Sequence, residues 1–268
     1  MPELLTRIQA VLDTVDKGII ACSGGIDSTL LALVAHRRAP GRVIVAHAIS
    51  PAVPPDATAR VEALAAEHGW ALSRVRSGEF EDESYLANPV NRCYFCKSNL
   101  YDSLAQIGAA HEGGTVMSGA NLDDLGEYRP GLDAAAERGV RHPWIEAGFA
   151  KVDIRALARE LDAPFAELPA SPCLASRLYT GTRVTAPRLR AVHACETLIK
   201  ERTGLAVVRC RVREDRMIVE VSAGDEAQIS SVLLDELGVL AASLEPGIAG
   251  ASLDGEAYRP GRAFVGAK

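Results

Sequence analysis

A change of hydrophobic period near the N-terminus constrains this chain most. Leu4, Leu5, Ile8, Val11, Leu12 and Val15 recur at helical spacing and predict an amphipathic helix ending at Lys17-Gly18. Residues 18–22 then read as a short buried strand, 23–28 as a loop with two glycines, and 29–37 as an apolar helix. A buried strand that feeds a loop and then a helix needs a parallel neighbour, because the helix carries the chain back to the edge where the first strand began. The alternation continues with strands at 42–49, 71–75 and 115–118 and helices at 58–68, 93–107 and 151–161. The expected fold class is α/β, an open, mainly parallel sheet with helices on both faces.

At 268 residues the chain exceeds the length of one ordinary domain. Pro164, Pro169 and Pro172 crowd a segment without periodicity. The predicted organisation is therefore a first domain over 1–168, a linker over 169–186 and a small α+β domain over 187–268. In the last, 189–200 reads as a helix, 206–212 and 217–221 as hairpin strands turned at Glu214-Asp215, and 225–237 as a helix before a terminal strand.

Composition excludes several classes. With 48% hydrophobic and 24% charged residues the chain can bury a core, and is neither disordered nor fibrous. Its 35 acids against 29 bases leave −6, which argues against a nucleic-acid partner held by a global basic surface. No apolar run has the length of a spanning helix and the N-terminus carries acids, so no membrane partner and a cytoplasmic location are expected. Six cysteines are too few for a disulfide scaffold in such a chain, so their placement decides their use.

The segment Ser23-Gly24-Gly25-Ile26-Asp27-Ser28 lies where free backbone N–H groups and a positive helix end attract phosphate. It lacks the Lys of a Walker loop, which disfavours a site aimed at the terminal phosphoryl. Cys93-Tyr94-Phe95-Cys96 opens a helix, and Cys173 is the best remaining soft ligand. Three thiolates suit a [4Fe-4S] cluster with one iron open to an exogenous ligand such as sulfide. Cys22, Cys195 and Cys210 sit in apolar patterns and read as buried small hydrophobes. Arg211 and Arg213 alternate along a strand and share one face, where they suit an anion, and Arg177 is a third candidate. Asp123 and Asp124 follow a strand's carboxyl end, a position suited to Mg2+ or ribose contacts. His193, Trp70 and Trp144 give no functional signal.

The first loop resembles the pyrophosphate loop of the ATP-pyrophosphatase superfamily. That resemblance implies that Ser23, Gly24, Gly25 and Ser28 hold pyrophosphate and that Asp27 helps hold Mg2+. A narrower resemblance spans roughly residues 4–259. Asn91-Arg92-Cys93-Tyr94-Phe95-Cys96-Lys97, Gly119-Ala120-Asn121-Leu122-Asp123-Asp124 with Arg129-Pro130-Gly131, Pro172-Cys173-Leu174-Ala175-Ser176-Arg177, Arg211-Val212-Arg213 and Leu253-Asp254-Gly255-Glu256-Ala257-Tyr258-Arg259 together look like the LarE family.

The resemblance implies an ATP-dependent sulfur transferase acting on pyridinium-3,5-biscarboxylic acid mononucleotide, an intermediate of the nickel-pincer nucleotide. The enzyme would adenylate a carboxylate and insert sulfur, using ATP, Mg2+ and sulfide or another sulfur donor, as a homo-oligomer (a hexamer). In one version of the family the cysteine at the position of Cys173 gives up its own sulfur and is left as dehydroalanine. In another, three cysteines hold a [4Fe-4S] cluster. All three are present here as Cys93, Cys96 and Cys173, which favours cluster-borne sulfide. The family pattern also suggests Glu196 as a metal-site or phosphate-site acid, with a solvated helix glutamate as the alternative. A tRNA-thiolation enzyme would use the same loop and cysteines but should carry a basic tract, and none is present. A ligase of the NAD or GMP synthetase type would need no cysteines, and a regulatory nucleotide-binding protein would keep the loop without turnover.

Overall fold

The computed structural model describes residues 2–126, 128–264 and 266. In chain order the first elements are α1 (Pro2–Leu12), β1 (Gly18–Ala21), α2 (Ile26–Arg38), β2 (Val43–Ala48), α3 (Pro55–His68), β3 (Ala71–Val75), α4 (Glu83–Leu86) and α5 (Arg92–Ala110). They are followed by β4 (Thr115–Ser118), α6 (Pro130–Glu137), α7 (Pro143–Glu146), α8 (Lys151–Glu160), α9 (Ala186–Thr203), β5 (Val208–Arg213), β6 (Arg216–Val221), α10 (Ser231–Leu244) and β7 (Gly250–Leu253). The chain forms two units, Met1–Glu79 with Cys93–Ser171 and Phe80–Arg92 with Pro172–Lys268.

The first unit is built on a four-stranded parallel sheet of order β3-β2-β1-β4. The expected α/β architecture is present. From β1 the chain adds β2 and β3 in one direction, then returns to place β4 on the other side of β1. That reversal puts a topological switch point at the carboxyl ends of β1 and β4, the usual ligand position in open α/β sheets. Ile19 and Ile20 on β1 and Leu30, Leu31, Leu33 and Val34 on α2 are all buried. Helix α2 is apolar nearly all round because it touches the sheet as well as α1 and α8. Each such side chain contributes about 1.5–3 kcal/mol by leaving water, so the loop between β1 and α2 rests on the best-anchored part of the unit.

The second unit begins with the Phe80–Arg92 segment. Asn88 adopts a left-handed φ of 53°. Its Nδ2 donates to Tyr179 O and Thr182 O, both at 2.8 Å, and its carbonyl accepts from Gly181 N. Buried Arg92 donates to Asn88 Oδ1 at 2.5 Å and to Ala175 O at 2.9 Å. These bonds knit 80–92 to residues 172–184, the stretch read from sequence as part of a linker. Beyond it lies a sheet of order β5-β6-β7, with β5 antiparallel to β6 and β7 parallel to β6. The β5–β6 turn is Glu214-Asp215 as expected, with Glu214 at φ 56°. The helix expected over 225–237 instead starts at Ser231, where Ser230 Oγ accepts from Leu233 N. Asp225 opens only a short 3-10 turn, because a serine cap beats an aspartate whose side chain caps nothing.

The two loops at the switch point touch backbone to backbone. A Cβ added at Gly119 would stand 2.7 Å from Ser28 N and 2.8 Å from Ser28 Cα, and neither atom can give way. Gly119→Ala should therefore destabilise the protein by about 1–3 kcal/mol, the cost of overpacking. Gly255→Ala, where a Cβ meets nothing within 4 Å, should be near neutral. Urea midpoints of the two variants check this, and equal midpoints would refute it.

Candidate functional site

The loop after β1 is held from below and left open above. Gly24 has φ +80°, and a Cβ there would come within 2.8 Å of Ala57 O, so both backbone conformation and space require glycine. Arg60 Nη1 donates to Gly24 O at 2.8 Å. Ser23 N donates to Ser28 Oγ at 3.0 Å, and the two hydroxyls lie 3.1 Å apart. Gly25 is the N-cap of α2 and offers no side-chain oxygen. The first N–H groups of α2 therefore have no side-chain cap, and the helix end can accept an anion.

The loop after β4 supplies charge. Asn121 is buried; its N donates to Asp124 Oδ2 and its Oδ1 accepts from Asp123 N, both at 3.0 Å. Asp124 also pairs with Arg129 at 3.1 Å. Lys151, the first residue of α8, donates its backbone N–H to Asp123 Oδ2 at 3.0 Å. Its Nζ lies 2.6 Å from each Asp27 oxygen. One lysine thus joins Asp27 of the first loop to Asp123 of the second. Desolvation raises the Asp27 pKa, the Lys151 bond and charge oppose it, and Asp124 adds to the rise. A half-buried carboxylate beside a second acid suits Mg2+, which is usually held by one or two carboxylates together with phosphate oxygens.

Two aromatic residues underlie the two loops. Trp144 Nε1 donates to Asp27 O at 3.0 Å, and the Trp144 ring lies 5.0 Å from that of Phe149. Phe149 O accepts from Leu122 N at 2.9 Å, and Arg7 holds the carbonyls of Ala147 and Gly148. His142 Nδ1 meets Ser118 Oγ at 2.8 Å, with burial lowering the His142 pKa. Sequence reasoning missed Lys151 and Trp144. A signal existed for the lysine, since a cation in the first turn of a helix opposes the helix dipole unless an acid meets it.

In the second unit two of the three predicted anion-binding side chains, Arg177 and Arg211, are already paired with glutamates. Arg177 and Glu196, with side chains 5% exposed, form a two-pronged pair at 2.9 and 3.1 Å. Arg177 also donates to Pro172 O and Cys173 O, and Glu196 Oε1 accepts from Cys210 N at 3.0 Å. Glu196 thus faces a guanidinium and a backbone N–H; it is not a solvated helix residue. Arg211 Nε stands 2.8 Å from Glu220 Oε1 off hydrogen-bond alignment, and its Nη1 donates to Ser176 O. Arg213 is exposed, with its guanidinium 5.5 Å from the Tyr179 ring.

Cys93 and Cys96 are half-buried on the first turn of α5, three residues apart and so on one face. Cys173 is exposed and caps the short 3-10 helix Leu174–Arg177. Their donor chemistry suits iron, but among the described residues no group of three or more His, Cys, Asp or Glu side chains gathers to hold a metal ion. Cys22, Cys195 and Cys210 are buried, and burial raises all three thiols, Cys195 to about 12, as expected of core residues.

The Arg177–Glu196 pair makes a stability prediction. Arg177→Met leaves the Glu196 carboxylate buried without its cation and should cost about 3–5 kcal/mol. The double variant Arg177→Met, Glu196→Leu should recover most of that loss. Chemical denaturation of the four proteins of this cycle measures it, and additive losses would remove the coupling.

Among the described residues no helix is long and apolar enough to cross a membrane. The chain matches no protein-family model. An uncharacterized protein of Synechocystis sp. is 35% identical over 260 residues, 96% of each chain. An uncharacterized protein of Methanocaldococcus jannaschii is 24% identical over 243 residues, 91% of each chain. The pyridinium-3,5-bisthiocarboxylic acid mononucleotide synthase of Lactiplantibacillus plantarum is 32% identical over 228 residues, 84% of this chain and 80% of that enzyme. A similarity of that extent, carried by a chain with the glycine loop and the cysteine motifs described above, shows that this protein belongs to the LarE family.

Proposed function

We propose that the protein is an ATP-dependent sulfur transferase. It adenylates a carboxylate of pyridinium-3,5-biscarboxylic acid mononucleotide and converts it to the thiocarboxylate. The observation that carries this reading is the meeting of an uncapped helix end, Asp27 and Lys151 beyond the carboxyl ends of β1 and β4, in a chain 32% identical to a bisthiocarboxylate synthase.

The chemistry needs activation first. A carboxylate resists sulfide because oxide is a poor leaving group. In the first step the carboxylate oxygen attacks the α-phosphorus of ATP, the bond to the bridging oxygen breaks, and pyrophosphate leaves with that electron pair. In the second, hydrosulfide attacks the acyl carbon and AMP departs, giving thiocarboxylate and one proton. Ser23, Gly24, Gly25 and Ser28 bind the leaving pyrophosphate through backbone N–H and hydroxyl groups. Asp27 and the loop are the residues that would hold Mg2+, which when bound supplies charge neutralisation between phosphates. Lys151 is the chain's own cation here, and its unbranched stem lets Nζ exchange Asp27 for a phosphoryl oxygen. Asp123 fixes the start of α8 through the Lys151 N–H and so sets where that lysine begins.

Sulfur delivery belongs in this reading to Cys93, Cys96 and Cys173, as ligands of a [4Fe-4S] cluster. Such a cluster, when bound, would present sulfide at an iron without a protein ligand. Arg213, exposed on β5, is the arginine open to the substrate's phosphate, because Arg177 and Arg211 are committed to buried glutamates.

The purified protein should convert ATP to AMP and pyrophosphate in equal amounts when substrate is present; ADP and phosphate as main products would overturn the adenylation step. Lys151→Met should slow adenylation about 10- to 100-fold with a smaller change in ATP affinity, as expected for a charge used mainly in the transition state. Asp27→Asn should raise the Mg2+ concentration required.

Anaerobically purified protein should contain about four irons per chain. Cys93→Ala, Cys96→Ala and Cys173→Ala should each abolish sulfur transfer while AMP formation persists. A colourless protein whose Cys173 becomes dehydroalanine would replace the cluster by a sacrificial cysteine.

A further inference from the structure

His47 on β2 is 1% exposed and lies at the root of the phosphate loop. Its Nδ1 is 2.8 Å from Cys22 O, and its Nε2 is 2.9 Å from Thr58 Oγ1. A carbonyl oxygen only accepts, so Nδ1 carries the ring proton. In the neutral ring Nε2 must then accept, and the Thr58 hydroxyl donates to it. Cys22 immediately precedes Ser23, so the ring holds the last carbonyl before the loop.

Helix α3 reinforces this hold at neighbouring positions. Ala57 lies against Gly24, Thr58 reaches Cys22 O through His47, and Arg60 Nη1 donates to Gly24 O. Residues 57, 58 and 60 therefore clamp one short stretch of backbone. None of these contacts uses a group that would touch a nucleotide.

The groups facing the ring are few. From the residue after β1 comes the Cys22 carbonyl, while the Cys22 thiol turns to Thr29 and Ser28 and has its pKa raised by burial. From α3 comes Glu62 and from β3 comes Arg74, joined to each other at 2.8 Å. Helix α2 carries its titratable groups at its ends, with Asp27 on Lys151 in the first turn and His36, Arg37 and Arg38 in the last. Among the described residues no carboxylate bonds the ring, so an imidazolium would be a buried cation without a contacting counter-charge. Burial accordingly lowers the His47 pKa, against the Cys22 carbonyl and Glu62, which raise it.

We propose that His47 is a positioning residue for the phosphate loop: its neutral, Nδ1-protonated ring keeps Cys22 O, and hence Ser23 to Ser28, in the nucleotide-binding arrangement. The proposal rests on the nucleotide reading above. The hold lies in the Nδ1–H bond to Cys22 O, with the Thr58 hydroxyl fixing the ring from its other nitrogen.

The test uses the full-length protein, Mg2+ and the α,β-methylene analogue of ATP, which binds without cleavage. Nitrogen-15 NMR of labelled histidine should report the Nδ1–H tautomer for His47. His47→Asn keeps an N–H donor for Cys22 O and should bind the analogue within about two-fold of wild type at pH 7.5, whereas His47→Leu should bind roughly five-fold more weakly, the loss of one hydrogen bond. The Nε2–H tautomer, equal affinities for wild type and His47→Leu, or a His47→Asn variant that binds no better than His47→Leu would overturn the inference while leaving nucleotide binding intact. Absence of analogue binding at every pH would instead overturn the nucleotide reading, and the inference with it.

Discussion

The candidate site depends on one close approach, that of Gly119 to the backbone of Ser28. Parallel pairing of β1 with both β2 and β4 sends the loops after β1 and β4 out of the same edge of the sheet, side by side. Only a residue without a Cβ lets the second loop settle against the first turn of α2. Once it does, Asn121 folds its turn around Asp123 and Asp124, and Asp123 receives the N–H of Lys151. The lysine can then reach Asp27. A charge network that looks like side-chain chemistry is therefore set by a backbone contact, with Trp144 and Phe149 beneath it as packing.

Charge is handled differently in the second unit. Arg177 with Glu196, and Arg211 with Glu220, are opposite charges taken out of water together. A buried pair seldom adds net stability over well-packed apolar residues, but it holds its neighbours to one geometry because either charge alone is costly. Arg177 spends its remaining N–H groups on the carbonyls of Pro172 and Cys173, so the pair fixes the backbone that presents the exposed Cys173 thiol. Arg92 does the same for the carbonyl of Ala175. The arginines around this cysteine act first on the shape of its loop.

Much of this was legible in the sequence because it is written in local patterns. The period change at Gly18, the alternation of strands and helices and the Glu214-Asp215 turn each follow from a few adjacent residues, and the first sheet and the hairpin stand where those patterns put them. The glycine-bearing turn between β1 and α2 was legible for the same reason. The partners of Arg177, Arg211 and Glu196 were not, since a strand or helix pattern gives the face of a side chain and not what meets it from another element. Residues 80–92 carry a four-residue helix too short for any period, and their place in the second unit rests on bonds from Asn88 and Arg92 to residues more than eighty positions away. Lys151 and Trp144 were missed because their function lies in meeting Asp27, which is distant in sequence.

Asp27 shows why the resting loop needs that lysine. Burial and the nearby Asp124 push its carboxyl toward the protonated form, and a neutral Asp27 would offer a divalent cation little. Lys151 is the largest influence in the other direction, its bond and charge favouring the carboxylate. A fixed arginine fork would hold the same charge, but its five donors in one plane are harder to release than a single ammonium on a flexible stem. In the proposed function, the cation that favours the Asp27 carboxylate would thus be of the type most easily given up to phosphate. Replacing Lys151 by arginine would preserve ionisation of Asp27 while slowing the exchange, which separates holding the acid from yielding it.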